Sequence, residues 1–355
     1  MKKNVLLFPT FLFLCLTTFF FVGNVMLPTP VFAQDSAEDM DDEEEDEDEE
    51  AFRKLPIPKP VELTGETALK TSDGVLLSAT YYPGNRGKKT VPLILIHGWG
   101  GNRKDFAALA LYLQKEGHAV LVADLRGHGK STQQELGPEV RKKIDTKNKK
   151  LLFSEMLQYD LPKLKAFLRS ENNQGKLNID KLGLVGVESG AILAAAFAGK
   201  DWDPGTKRKG KANPQMGDVK AVVMISPIKT FEGVKLQDQL TATPKNSLWI
   251  RNFSGLILSG ASPGSTYDSP ERLEKIILAA IKQAGGTEKT VQLNSENLPV
   301  KNSGSKKVYA VTTKSKLQGA KLIAVEKDST EFPTIAEFLS LRLKKLQYVP
   351  WVADR

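Results

Sequence analysis

Six short apolar runs between Val91 and Lys314 constrain the fold more than any other feature of this sequence. They read "VPLILI", "HAVLVAD", "KLGLVGV", "VKAVVMISP", "FSGLILSGAS" and "KKVYAVTTK". A strand exposed on one face alternates apolar with polar residues. These runs are nearly continuous, as expected of strands covered on both faces of a parallel sheet. Between and after them come helical stretches: "DFAALALYLQKEG" closed by Gly117, "FSEMLQYDLPKLKAFL", "SGAILAAAFAG", "SPERLEKIILAAIKQAG" and "EFPTIAEFLSLRLKKL". Strands alternating with helices require crossover connections, so the expected architecture is α/β, a mostly parallel central sheet with helices on both faces. Upstream, "VELTGETALKTSDGVLLSATYYPG" predicts two alternating strands joined at Ser72-Asp73-Gly74, an N-terminal antiparallel hairpin. A lysine-rich stretch at 142–150 interrupts the pattern. The connection after "VVMISP" reads as short, leaving little room for a large lid and predicting an open pocket.

The segment before this domain has a different character. Lys2 and Lys3, an apolar run from Val5 to Val22 and "VFA" ending at Ala33 read as a signal peptide over 1–33, and hence as export to a periplasmic or extracellular location. The run is also long enough to anchor the chain if it is not cleaved, the one case in which a membrane is a partner. Cys15, the only cysteine, lies inside it without the small residue that precedes a lipidated cysteine, so a mature chain has no disulfide. Residues 35–50, "DSAEDMDDEEEDEDEE", hold 13 acidic residues in 16. Such a block has nothing to bury and reads as a disordered arm, followed by the Pro-rich linker "LPIPKP", so 34–60 form one unit and 61–355 the folded domain. From residue 51 onward 48 basic residues face 29 acidic ones, a net charge of +19 behind a full-chain value of +8. That polarity makes an anionic polymer a candidate partner beside an unspecified small molecule or protein. "KKIDTKNKK" (142–150) and "KRKGK" (207–211) read as solvated basic loops. No constellation indicates a nucleic-acid fold, no His, Cys or carboxylate cluster has metal-ligand spacing, and no cofactor is implied.

Three motifs stand at successive strand ends: "HGWGG" from His97, "DLRGHGKS" from Asp124 and "GVESGA" from Gly186. The second is not a phosphate-binding loop, because the position five before Gly129 is Asp124 rather than glycine. In this order, behind an antiparallel pair, the three motifs resemble the α/β-hydrolase family over roughly 61–343. That resemblance implies an elbow G-x-S-x-G between the fifth strand and its helix. Gly186 and Gly190 keep the spacing and put Glu188 where the nucleophilic serine belongs. Moving the frame to Ser189 would put bulky Val187 at a position that needs a small residue.

The rest of the implied triad is missing as well. The family base follows the last strand, commonly before a glycine; here Gln318 precedes Gly319. The implied acid lies about three residues past the glycine that ends the strand in "GLILSGAS"; from Gly260 that position is Pro263, with Asp268 a fallback if the loop folds back. Only His97, His118 and His128 are available in the chain. The resemblance assigns His97 and His128 to structural loops, and His118 opens a strand at the far end. Acyl transfer by serine needs an imidazole to take and return its proton. Glu188, Pro263 and Gln318 therefore predict a protein that keeps the fold without the chemistry, a binding or scaffold protein. The alternative is a hydrolase of esters or short peptides using non-standard residues, drawn from Glu188, Ser189 and Asp268. Relatives with an acidic residue on this turn attack halides and epoxides, but they use aspartate and still need the histidine. The main-chain donors of the family's oxyanion hole fall at Ser189 and in the loop at Gly98 and Trp99. The expectation is that the Glu188 carboxylate turns into that hole.

Overall fold

In a computed structural model, the chain is described at residues 52, 54–203, 217–241, 243, 247–261, 267–286, 307–324, 330–346 and 349–353. The signal segment, the acidic arm, the 207–211 basic stretch and Pro263 lie outside the described residues. All those described fall in one of the chain's two units, residues 39–355.

Among the described residues, eight strands form the main sheet: β1 Val61–Leu63, β2 Ser78–Tyr82, β3 Pro92–Ile96, β4 Ala119–Asp124, β5 Leu182–Val187, β6 Val219–Ile225, β7 Gly255–Ser259 and β8 Val308–Thr312. Their spatial order is β1-β2-β4-β3-β5-β6-β7-β8. β2 runs antiparallel to β4 and β1 antiparallel to β2, while every pairing from β4 to β8 is parallel. The longer helices are α1 Ala107–Lys115, α2 Leu161–Asn173, α3 Ser189–Asp201, α4 Pro270–Gln283 and α5 Glu331–Leu339.

The period of two along each strand sorts the apolar side chains into two layers. Leu93, Leu95, Val185, Val187 and Val223 face Leu109 and Leu113 of α1 and Phe332, Ile335 and Phe338 of α5. Their neighbours Ile94, Ile96, Leu184, Met224 and Ile257 face Leu164 and Leu168 of α2, most of α3, and Leu273 and Ile277 of α4. Each such side chain contributes about 1.5–3 kcal/mol on leaving water, so these two layers hold the sheet. Between the β4 loop and the start of α2, Arg126 lies under the surface with 1% exposure and pairs with Asp160 at 2.8 Å, Asp73 at 2.8 Å and Glu155 at 2.9 Å. One guanidinium thereby ties three segments together.

The expected N-terminal antiparallel pair is present as β1 with β2, and three details of the reading need correction. The two strands are not joined directly at Ser72-Asp73-Gly74. β1 is three residues, a helical turn follows at Gly65–Leu69, and the Thr71–Gly74 turn is closed by an isolated bridge between Lys70 and Leu76. The lysine-rich stretch is not all loop: Val140–Lys143 pairs antiparallel with Gln133–Gly137, and a helix begins at Lys149. The connection between β6 and β7 is not short. It carries a small ribbon, Thr230–Phe231 with Val234–Lys235, and helical segments Leu236–Gln239 and Ser247–Arg251. Phe231 on this insertion stacks 5.2 Å from the Trp99 ring and 5.0 Å from Phe153. It covers part of the end of the sheet at which the three motifs sit.

Candidate functional site

The turn from β5 into α3 is built as its glycines require. A Cβ on Gly186 would lie 2.6 Å from the Ala191 nitrogen, and one on Gly190 would lie 2.7 Å from the His97 carbonyl oxygen. Both neighbours are backbone and cannot yield. Glu188 at the apex has φ 53° and ψ −116°, a conformation that costs a non-glycine residue of order 1–3 kcal/mol. It is held there because its N–H donates to Ile225 (3.0 Å) and its carbonyl accepts from the Ala191 N–H (3.1 Å).

The structure corrects the expected destination of the carboxylate. The Trp99 N–H, anticipated as a donor of the hole, donates instead to the Ser189 hydroxyl at 2.8 Å. Ser189 is buried, and its oxygen serves as an internal acceptor. The Glu188 carboxylate instead accepts from the Tyr267 hydroxyl at 2.9 Å. It is wedged between two glycines: a Cβ on Gly98 would come within 2.8 Å of one carboxylate oxygen, and a Cβ on Gly319 within 2.8 Å of its carbon. Burial and then the adjacent carboxylate push the Tyr267 phenol up to about 12, so it keeps its proton and remains a donor.

Gln318 is brought to the same place, since its chain neighbour Gly319 touches Glu188. Both ends of its amide are used: the oxygen accepts from the Ser226 hydroxyl (2.8 Å) and the Gly260 N–H (3.3 Å), and the nitrogen donates to the Gly260 carbonyl (3.1 Å). Ser226, with φ 44°, is a second non-glycine residue in the left-handed region, at the end of the strand beside β5. Asp268 does not join the site. Its carboxylate pairs with Arg272, and its N–H donates to Pro227 at 2.9 Å. Burial raises its pKa against the pull of Arg272.

None of the three histidines is hydrogen-bonded to Glu188, Ser189 or Gln318 among the described residues. His97 places Nδ1 2.7 Å from the Gly98 carbonyl oxygen, while its Nε2 accepts from the Leu125 N–H at 3.0 Å. Burial drives its pKa down to about 4, so the ring is neutral. His128 places Nδ1 2.9 Å from the Arg126 carbonyl oxygen, and His118 is fully buried just before β4. In "DLRGHGKS", Asp124 accepts from the N–H groups of Arg103 and Lys130, both at 2.8 Å, and holds the loop closed. Among the described residues no group of three or more His, Cys, Asp or Glu could hold a metal ion.

The family model for the alpha/beta hydrolase fold matches residues 91–243, from the start of β3 through the strained turn to the segment beyond β6. This is an α/β-hydrolase fold. An esterase of Pyrococcus furiosus is similar in structure at 15% identity, over 80% of this chain and 91% of its own, with a TM-score of 0.49. An esterase of Pyrobaculum calidifontis is similar at 16% identity, over 86% of this chain and 94% of its own, with a TM-score of 0.48. No curated protein sequence matches the chain. On this α/β-hydrolase fold, sequence reasoning located Glu188 and Gln318 but missed Tyr267, Ser226 and the packing role of Gly319. Only the glycine carried a signal, as the partner of the family's histidine.

Proposed function

We propose that this α/β-hydrolase-fold protein is exported and acts by binding rather than by acyl transfer. The observation that carries the reading is the hydrogen bonding around the elbow. Glu188 is engaged by Tyr267, Gln318 by Ser226 and Gly260, and the one serine on the turn accepts the Trp99 N–H. A serine nucleophile needs a base within about 3 Å that takes up its proton, and the amide beside this turn cannot do so near neutral pH. The elbow geometry survives without its chemistry. Export is supported by the residues before Gln34; among the described residues, no helix is long and apolar enough to cross a membrane.

The test uses the full-length protein and a fluorophosphonate probe with a panel of activated esters. The unmodified protein is expected to remain unlabelled and to turn nothing over. Labelling that disappears in Ser189→Ala would refute the proposal in favour of an esterase with non-standard residues. The variant Glu188→Ser/Gln318→His measures how much of the machinery remains, since both positions already face the same end of the sheet. Sequencing the N-terminus of protein recovered outside the cytoplasm checks export, with Gln34 as the expected first residue.

A further inference from the structure

A cavity of about 390 Å³ lies between the loop after β3 and the loop after β4, and Glu188 is not among the residues that line it. Its walls include Trp99, Asn102, His128, Thr146 and Lys149, with glycines of the two loops filling the remainder. The volume falls in the range of about 300–1,000 Å³ usual for small-molecule sites. The glycines leave main chain bare at the wall: at Gly100, with φ 83°, a Cβ would meet nothing within 4 Å.

Three features define what would fit. His128 is only 8% exposed. Its Nδ1 faces the Arg126 carbonyl, which can only accept, so the neutral tautomer that fits this contact carries its proton on Nδ1 and a lone pair on Nε2. Nε2 has no partner among the described residues, so this imidazole offers an acceptor that wants a hydroxyl or N–H from a ligand. Lys149 supplies a positive charge to the wall, and among the described residues no acidic residue lines the cavity, although Asp105 and Asp124 lie behind its glycines and exposed Asp145 adjoins Thr146 among Lys130, Lys147 and Lys150. Trp99 supplies an aromatic surface, held by the His128 ring at 4.7 Å and Phe231 at 5.2 Å.

We propose that this cavity binds a small hydroxylated organic anion, with its anionic group at Lys149, a hydroxyl donating to His128 Nε2 and C–H groups against Trp99. A sugar phosphate and a uronic acid both carry this chemistry. The site stands whether or not the elbow is inert, because Glu188 does not contribute to it.

The experiment is calorimetric titration of the full-length protein with glucose 6-phosphate and with glucuronate, each alone and in competition with the other. Glucose supplies hydroxyls without the anion, and inorganic phosphate supplies the anion without the ring. Both sugar anions are expected to bind at one mutually exclusive site, at least about tenfold more tightly than either control. The tighter of the two identifies the source as phosphorylated or carboxylated. Lys149→Gln, an exposed position, should weaken binding by about tenfold, and Thr146→Trp should abolish it by filling the mouth, with unchanged melting temperatures. The proposal is overturned if neither sugar anion binds, if inorganic phosphate binds equally well, or if both variants bind like the parent. Fluorophosphonate labelling reports separately on the elbow, so failure of one reading leaves the other intact.

Discussion

The contact between Gly319 and the Glu188 carboxylate can be tested by a double-mutant cycle. Gly319 has φ 61°, and a Cβ there would meet the carboxylate carbon at 2.8 Å. An alanine therefore adds two costs. The left-handed backbone costs an L-residue about 1–2 kcal/mol wherever its side chain points. Displacing the carboxylate also breaks its hydrogen bond from Tyr267, and a bond to a charged group is worth about 1.5–3 kcal/mol. Gly319→Ala should thus destabilise the parent by about 2.5–5 kcal/mol. In a Glu188→Ala background the carboxylate is gone, so the same change should cost only the backbone part, about 1–2 kcal/mol. The assay is urea unfolding of all four proteins, read from midpoints at unchanged slope. A coupling near zero, with Gly319→Ala equally costly in both backgrounds, would refute the packing of Glu188 between its glycines.

Other expectations follow from the same geometry. Burial lowers the His97 pKa from an ordinary 6.5 to about 4, so the unfolded chain takes up a proton there before the folded one does. The stability it contributes is therefore complete above pH 6.5 and lost as the pH falls toward 4, about 3 kcal/mol over the window; urea titrations of His97→Gln against the parent should show a shallower acid slope, and equal slopes would contradict the assignment. Arg126→Met leaves Asp160 buried and unpaired and should cost about 3–5 kcal/mol, whereas adding Asp160→Asn should recover much of it. Thermal melts of the single and double variants decide this, and a double variant no better than the single would reject it. Gly190→Ala places a methyl 2.7 Å from the His97 carbonyl and should yield little folded protein, while Gly100→Ala, with open space around it, should cost only about 1–2 kcal/mol for its left-handed φ. Circular dichroism of the two purified variants makes the comparison, and equal tolerance would count against the packed elbow.

The fold and the main features of the elbow were legible before any coordinate. The apolar runs are continuous because their strands are covered on both faces. The spacing Gly186-x-Glu188-x-Gly190 records a backbone crossing too close for a Cβ. Both are local constraints, and local constraints leave a local trace. The long connection between β6 and β7 was misread because its elements are only two to five residues long, too short for any periodicity to show.

What the sequence could not determine was where free polar groups find partners, since this depends on segments far apart in the chain. Tyr267 reaches Glu188 from 79 residues away, and Ser226 reaches Gln318 from 92. The carboxylate turned from the anticipated hole because the Ser189 hydroxyl already takes the Trp99 N–H and because a phenol from another loop competes for the anion. The sequence by itself determined which chemical groups the elbow turn carries. The tertiary structure decided which of those groups are already engaged and put His128 on the wall of a cavity, because hydrogen-bond partners are assigned by proximity in space.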